Sequence, residues 1–126
     1  MSLEVILSQF EDVQEAISII KSRIYGIESP LDFLKDEDSI IIYDSIAMRL
    51  QTIGESIKNV DKKNKSFLLN YSEIEWQEIM KLRDIISHHY KELNADIIFY
   101  TCKEDIPALE KIVEKIISDL NEQGYK

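Results

Sequence analysis

The segment RDIISHHY, Arg83 to Tyr90, puts an arginine, an aspartate, a serine, two adjacent histidines and a tyrosine into eight residues of an otherwise isoleucine-rich, acidic chain. An imidazole moves protons near neutral pH, and a guanidinium holds phosphate oxygens in a planar fork of donors. Together they are a minimal kit for cleaving RNA without a metal, with the ribose 2′-OH as nucleophile. On a straight helix Arg83, Ser87 and Tyr90 share a face, whereas His88 projects about 140° away from Arg83. Arg83 and His88 reach one substrate only if the helix distorts near His88, or if two copies of the chain pair about a two-fold axis and each supplies part of the site. Asp84 and His88, four residues apart, do meet, so that the carboxylate can orient the imidazole and fix its tautomer.

Other chemistries fit less well. Asp84, His88 and Glu92 recur every four residues and would present two carboxylates and an imidazole on one face. However, HExxH and cysteine-based spacings are absent, and His88 and His89 diverge on a helix. No metal and no other cofactor is expected. Ser87 lacks the strand-turn-helix setting of a nucleophile, and no glycine-rich loop cradles a phosphate. A polar helix face carrying a satisfied histidine is the bland alternative that spacing leaves open.

The elements that must position these groups are patterned as helices. Between Leu3 and Tyr25, Ile6, Phe10, Val13, Ile17, Ile20 and Ile24 recur in steps of three and four, and Gly26 and Pro30 end the pattern. A second helix from about Asp36 to Val60 places Tyr43, Ile46, Ala47, Leu50, Ile53 and Ile57 on one face, with Gly54 inside it. A helical glycine costs about 1 kcal/mol relative to alanine, which points to close backbone approach there, within the chain or at an interface. Ser72 opens a third helix as a capping box with Glu75, followed by Trp76, Ile79, Met80, Ile86 and Tyr90 at helical spacing. After a break near Asn94, a short stretch from Ile97 to Cys102 precedes a last helix. There Asp105 is the expected cap, Pro107 lies in the first turn, and Ile106, Leu109, Val113, Ile116 and Leu120 form the stripe that Gly124 ends. No strand-type alternation and no internal repeat interrupts this. The expectation is an all-α antiparallel helical bundle of four long helices plus a short one, with residues 1–126 forming a single domain.

Composition bounds the function. Hydrophobic residues make up 44% of the chain, with only three glycines and two prolines, as long helices require. The acidic start MSLEVILSQFED does not resemble a signal peptide, and no run is long enough to span a bilayer, so a cytoplasmic protein with no membrane contact is expected. The single cysteine, Cys102, excludes an internal disulfide. Twenty-four acids against fifteen bases give a net charge of -9, so any contact with RNA must be local. The one basic cluster, Lys58, Lys62, Lys63 and Lys65, lies near a helix end. It reads either as solvated lysines favouring the negative end of that helix or as phosphate contacts.

The spacing R-x-x-x-x-H-x-Y, here Arg83, His88 and Tyr90, resembles the signature of the HEPN superfamily, and its setting is similar to the HepT-like toxins. LQTIGE (Leu50 to Glu55), Trp76, and the downstream ADIIFYTCKEDIPALEKI occupy matching places, so the resemblance runs from the second helix almost to the C-terminus. The position after the arginine is polar in that family; Asp84 keeps polarity but adds a negative charge. The resemblance implies a ribonuclease toxin that acts on RNA in the composite cleft of a homodimer and is paired with an MntA-like nucleotidyltransferase antitoxin. Arg83 would stabilise charge on the scissile phosphate, His88 would serve as acid or base with Asp84 orienting it, and Tyr90 would be adenylylated. Cleavage would leave a cyclic phosphate and a free 5′-OH. The alternative is a non-catalytic helical partner that lends substrate-binding surface to a nucleotidyltransferase.

Overall fold

The computed structural model describes residues 2–124, apart from the side chain of Glu92, and every regular element among them is helical. Helix α1 spans Leu3–Ile24, and Ser2 caps it by accepting the Val5 N–H. All six residues of its expected stripe are buried. It stops where Gly26 adopts a φ of 89°, a left-handed conformation that only glycine takes without strain. A 3-10 turn at Pro30–Leu34 buries Phe33 and leads into α2, Glu37–Lys63. The Asp36 carboxylate caps α2 by accepting the Ser39 N–H at 2.8 Å, and this bond holds its carboxyl below the usual carboxylate range.

Helix α2 is the spine, with α1 and α3 packed along it and α1 also against the last helix. The Phe10 ring sits 5.8 Å from Phe67 and 6.4 Å from Trp76, joining α1, the α2–α3 connection and α3. Because Phe10 is fully buried there, truncation to alanine should cost about 3–5 kcal/mol.

Three expected boundaries differ. Helix α3 spans Trp76–His88, so it starts four residues after Ser72, which lies in a turn and caps nothing. The Trp76 indole explains this: its Nε1–H donates to the Tyr71 carbonyl at 2.8 Å, and the intervening residues wrap the ring as a turn. At the other end α3 stops at His88, and Tyr90–Glu92 form a separate 3-10 turn, so Tyr90 is not on the α3 face. Finally, α4 (Ala95–Tyr100), capped by Asn94, runs through a π-helical turn at Thr101–Asp105 directly into α5 (Ile106–Gly124). Asp105 therefore lies inside a helical run and is no cap. Pro107 lacks an N–H, and its ring would crowd the Lys103 carbonyl in a regular α-helix; the wider π turn accommodates both. The stripe from Ile106 to Leu120 is buried as expected.

Candidate active site

Arg83 is placed by a glycine. A Cβ on Gly54 would lie 2.2 Å from Arg83 Cβ and 2.7 Å from Arg83 Cγ, so α3 rests on α2 at this point only because α2 carries no side chain there. The close approach foreshadowed by the glycine is thus within the chain. Laid across that gap, the guanidinium reaches Glu55, with NH2 3.3 Å from Oε1, and Asp84, with NH1 3.2 Å from Oδ1. Lys58 donates to the same Asp84 oxygen at 2.9 Å. Asp84 is therefore bonded to Lys58 and Arg83; among the described residues it makes no hydrogen bond to His88. Those two bonds, Lys58's first, hold the Asp84 carboxyl below the usual carboxylate range. Arg83 opens onto a cleft of about 580 Å³ between α2 and α3, lined also by Glu55, Lys58, Asn59, Asp61, Lys62 and Met80.

His88 is the last residue of α3 and is exposed. Because α3 remains α-helical through His88, Arg83 and His88 keep the offset of about 140° that an ideal helix dictates. Tyr90 is 45% exposed, and its hydroxyl donates to Asp44 on α2. Burial, then the Asp44 bond, pushes its phenol above the ordinary tyrosine range. Asp44 lies eleven residues from Glu55, about 16 Å of helix, so within one chain the Tyr90 hydroxyl and the Arg83 guanidinium are anchored at separate parts of α2. The straight-helix expectation that both face one groove fails because α3 ends before Tyr90.

Sequence reasoning assigned no role to Asp44, weighed Lys58 only as part of a basic cluster that reads as solvated lysines or as phosphate contacts, and met Glu55 only within the LQTIGE segment. Lys58 and Glu55 carried a signal, since they lie on the exposed side of α2 around Gly54; Asp44 carried none, because only the turn after His88 brings Tyr90 to it. Among the described residues, no group of three or more His, Cys, Asp or Glu side chains converges as metal ligands, and the side chain of Glu92 lies outside the described set. None of the described helices is long and apolar enough to cross a membrane.

The family model for HepT-like ribonucleases matches residues 13–116. The chain belongs to the HepT-like ribonuclease family of the HEPN superfamily. Its relatives include an inferred RNase of Caldanaerobacter subterraneus subsp. tengcongensis, 33% identical over 85% of this chain and 89% of the relative. An inferred ribonuclease HepT of Thermococcus cleftensis is 33% identical over 84% of this chain and 90% of its own length. An inferred RNase of Methanocaldococcus jannaschii is 32% identical over 82% and 96%. No solved structure matches the chain significantly. HepT-like membership spans α2, α3 and the cleft between them, so the Arg83 network lies inside the shared region.

Proposed function

We propose that this chain is a metal-independent endoribonuclease toxin of the cytoplasm, held in check by an MntA-like nucleotidyltransferase antitoxin that adenylylates Tyr90. The observation that carries the reading is Arg83, seated on Gly54 at an open cleft with an exposed imidazole five residues further along the same helix. In this reading His88 takes the proton from the ribose 2′-OH, the 2′-oxygen bonds to phosphorus, and the P–O5′ bond breaks. A proton returns to the 5′-oxygen, giving a cyclic phosphate and a free 5′-OH. Arg83 binds the charge that accumulates on the non-bridging oxygens. Asp84, once phosphate takes its place beside Arg83, is free to turn to His88 one helical turn away and orient it.

Because Arg83 and His88 diverge on α3, the reading includes a two-fold dimer in which each chain completes the other's site. Ile41 and Met48, seven apart on α2, are 59% and 62% exposed, and Asp44 with Tyr90 lies between them; such an apolar face suits burial against a second copy. AMP on Tyr90 of one protomer would then obstruct the partner's cleft by bulk and by competing for its arginine.

The test is cleavage of RNA in EDTA. Wild type should cut, and Arg83→Ala and His88→Ala should each lose a factor of about 10²–10⁴ while keeping their helical circular dichroism. Equal activity in the variants, or dependence on added divalent ions, overturns the reading. The engagement of Arg83 by Glu55 and Asp84 favours the second reading, a non-catalytic partner of a nucleotidyltransferase, which predicts no growth arrest when the chain is expressed alone.

A further inference from the structure

Lys58, Lys62 and Arg83 line one cleft in a chain whose net charge is -9. Lys58 Nζ and Arg83 NH1 converge on a single oxygen, Asp84 Oδ1, at 2.9 and 3.2 Å. Two cations on different helices aimed at one anionic oxygen form the donor pattern that also holds a phosphodiester oxygen. The carboxylate is easily displaced: the Lys58 and Asp84 side chains are 41% and 47% exposed, and ion pairs this wet are weak. Lys62 lies one turn further along α2, about 6 Å from Lys58, and extends the cationic edge away from Arg83 by the reach of one nucleotide repeat. Glu55 and Asp61 line the same cleft and offset two of the three positive charges, so attraction is confined to this edge.

We propose that Lys58 and Lys62 form a subsite along the RNA backbone: Lys58 joins Arg83 on the phosphate whose oxygen position Asp84 fills in the free protein, and Lys62 holds the adjacent phosphate. This rests on the ribonuclease reading and adds the residues that hold the strand beside the scissile bond. Substrate entry is an exchange of anions: the Asp84 carboxylate leaves the two cations as the phosphate arrives, and no net charge is stranded.

The experiment uses the full chain carrying His88→Ala, which suppresses turnover, with a fluorescein-labelled single-stranded oligoribonucleotide followed by anisotropy across a salt series. Adding Lys58→Gln and Lys62→Gln should weaken binding at least tenfold and reduce the slope of log affinity against log salt by about 0.7 for each phosphate no longer neutralised. The arginine pair Lys58→Arg and Lys62→Arg should restore both. The same charge change at Lys35 and Lys111, two exposed lysines outside the cleft, should leave the slope unchanged. With His88 intact, the glutamine pair should raise KM far more than it lowers kcat. Unchanged affinity and slope in the glutamine pair, or an equal loss in the Lys35 and Lys111 control, overturns the subsite and leaves the ribonuclease reading standing. If the unsubstituted protein neither binds nor cuts RNA, the ribonuclease reading fails and the subsite falls with it.

Discussion

In the proposed ribonuclease, the effect of Asp84 reverses between the free and the RNA-bound protein. Free, it satisfies Lys58 and Arg83; with RNA present it competes with phosphate for the same two donors. Asp84→Asn should therefore bind RNA a few-fold more tightly, in filter-binding or anisotropy measurements, yet turn it over more slowly because His88 loses its carboxylate. Tighter binding with unchanged kcat would remove Asp84 from the imidazole's support. The carboxyl also gives a pH readout. Its folded pKa is depressed from 3.8, so its contribution to stability is present above that value and lost as pH falls below it. A carbon-detected NMR titration should find the Asp84 midpoint below the ordinary value in wild type and higher in Lys58→Gln. Tyr90→Phe should take up no AMP from the cognate nucleotidyltransferase and ATP, with intact-mass spectrometry as the readout; a mass gain that survives the substitution places the modification elsewhere.

At the scale of elements, Gly54 decides how α3 lies on α2. Alanine would gain about 1 kcal/mol of helix propensity, but its methyl would overlap the root of the Arg83 side chain, and overpacking of that kind costs about 1–3 kcal/mol. Gly54→Ala should lower Tm and, by pushing Arg83 off its seat, lower cleavage more than a core substitution of equal stability cost. The α2–α3 connection is tied to α5 by Tyr71, whose hydroxyl donates to Asp119 at 2.8 Å. Burial, then that bond, pushes its phenol up to about 12 from 10.0. A raised pKa stabilises the fold fully below 10 and is lost as pH climbs toward 12, so alkaline titration should show a stability loss in that window that Tyr71→Phe lacks. The apolar stripes of α1, α2 and α5 were legible in the sequence because each helix buries one face for its whole length. The start of α3 was not, because a hydrogen bond from the Trp76 indole outweighs the local capping signal at Ser72. Nor was the seat of Tyr90, since helical spacing loses its meaning once the helix ends.

For the whole molecule, the separation of Tyr90 from Arg83 along α2 means that the proposed function requires two chains to assemble. Light scattering at micromolar concentration should give about twice 14.7 kDa. Ile41→Asp together with Met48→Lys changes only exposed positions, so the variant should stay helical but become monomeric and inactive. A monomer that still cleaves RNA would place both groups of the site within one chain.

The π turn at Thr101–Asp105 has a bearing on how this chain tolerates changes in its length. Removing one residue from an α-helix rotates everything downstream by about 100° and turns a buried stripe toward solvent. A π turn holds one residue more than an α turn needs, so deleting the exposed Glu104 should keep the faces of α4 and α5 in phase, at the cost of seating the Pro107 ring in a regular helix, about 3 kcal/mol. Deleting Glu114, in the middle of α5, should unfold the protein. The last helical run thus has a place where the loss of one residue would burden the backbone at Pro107 and spare the core.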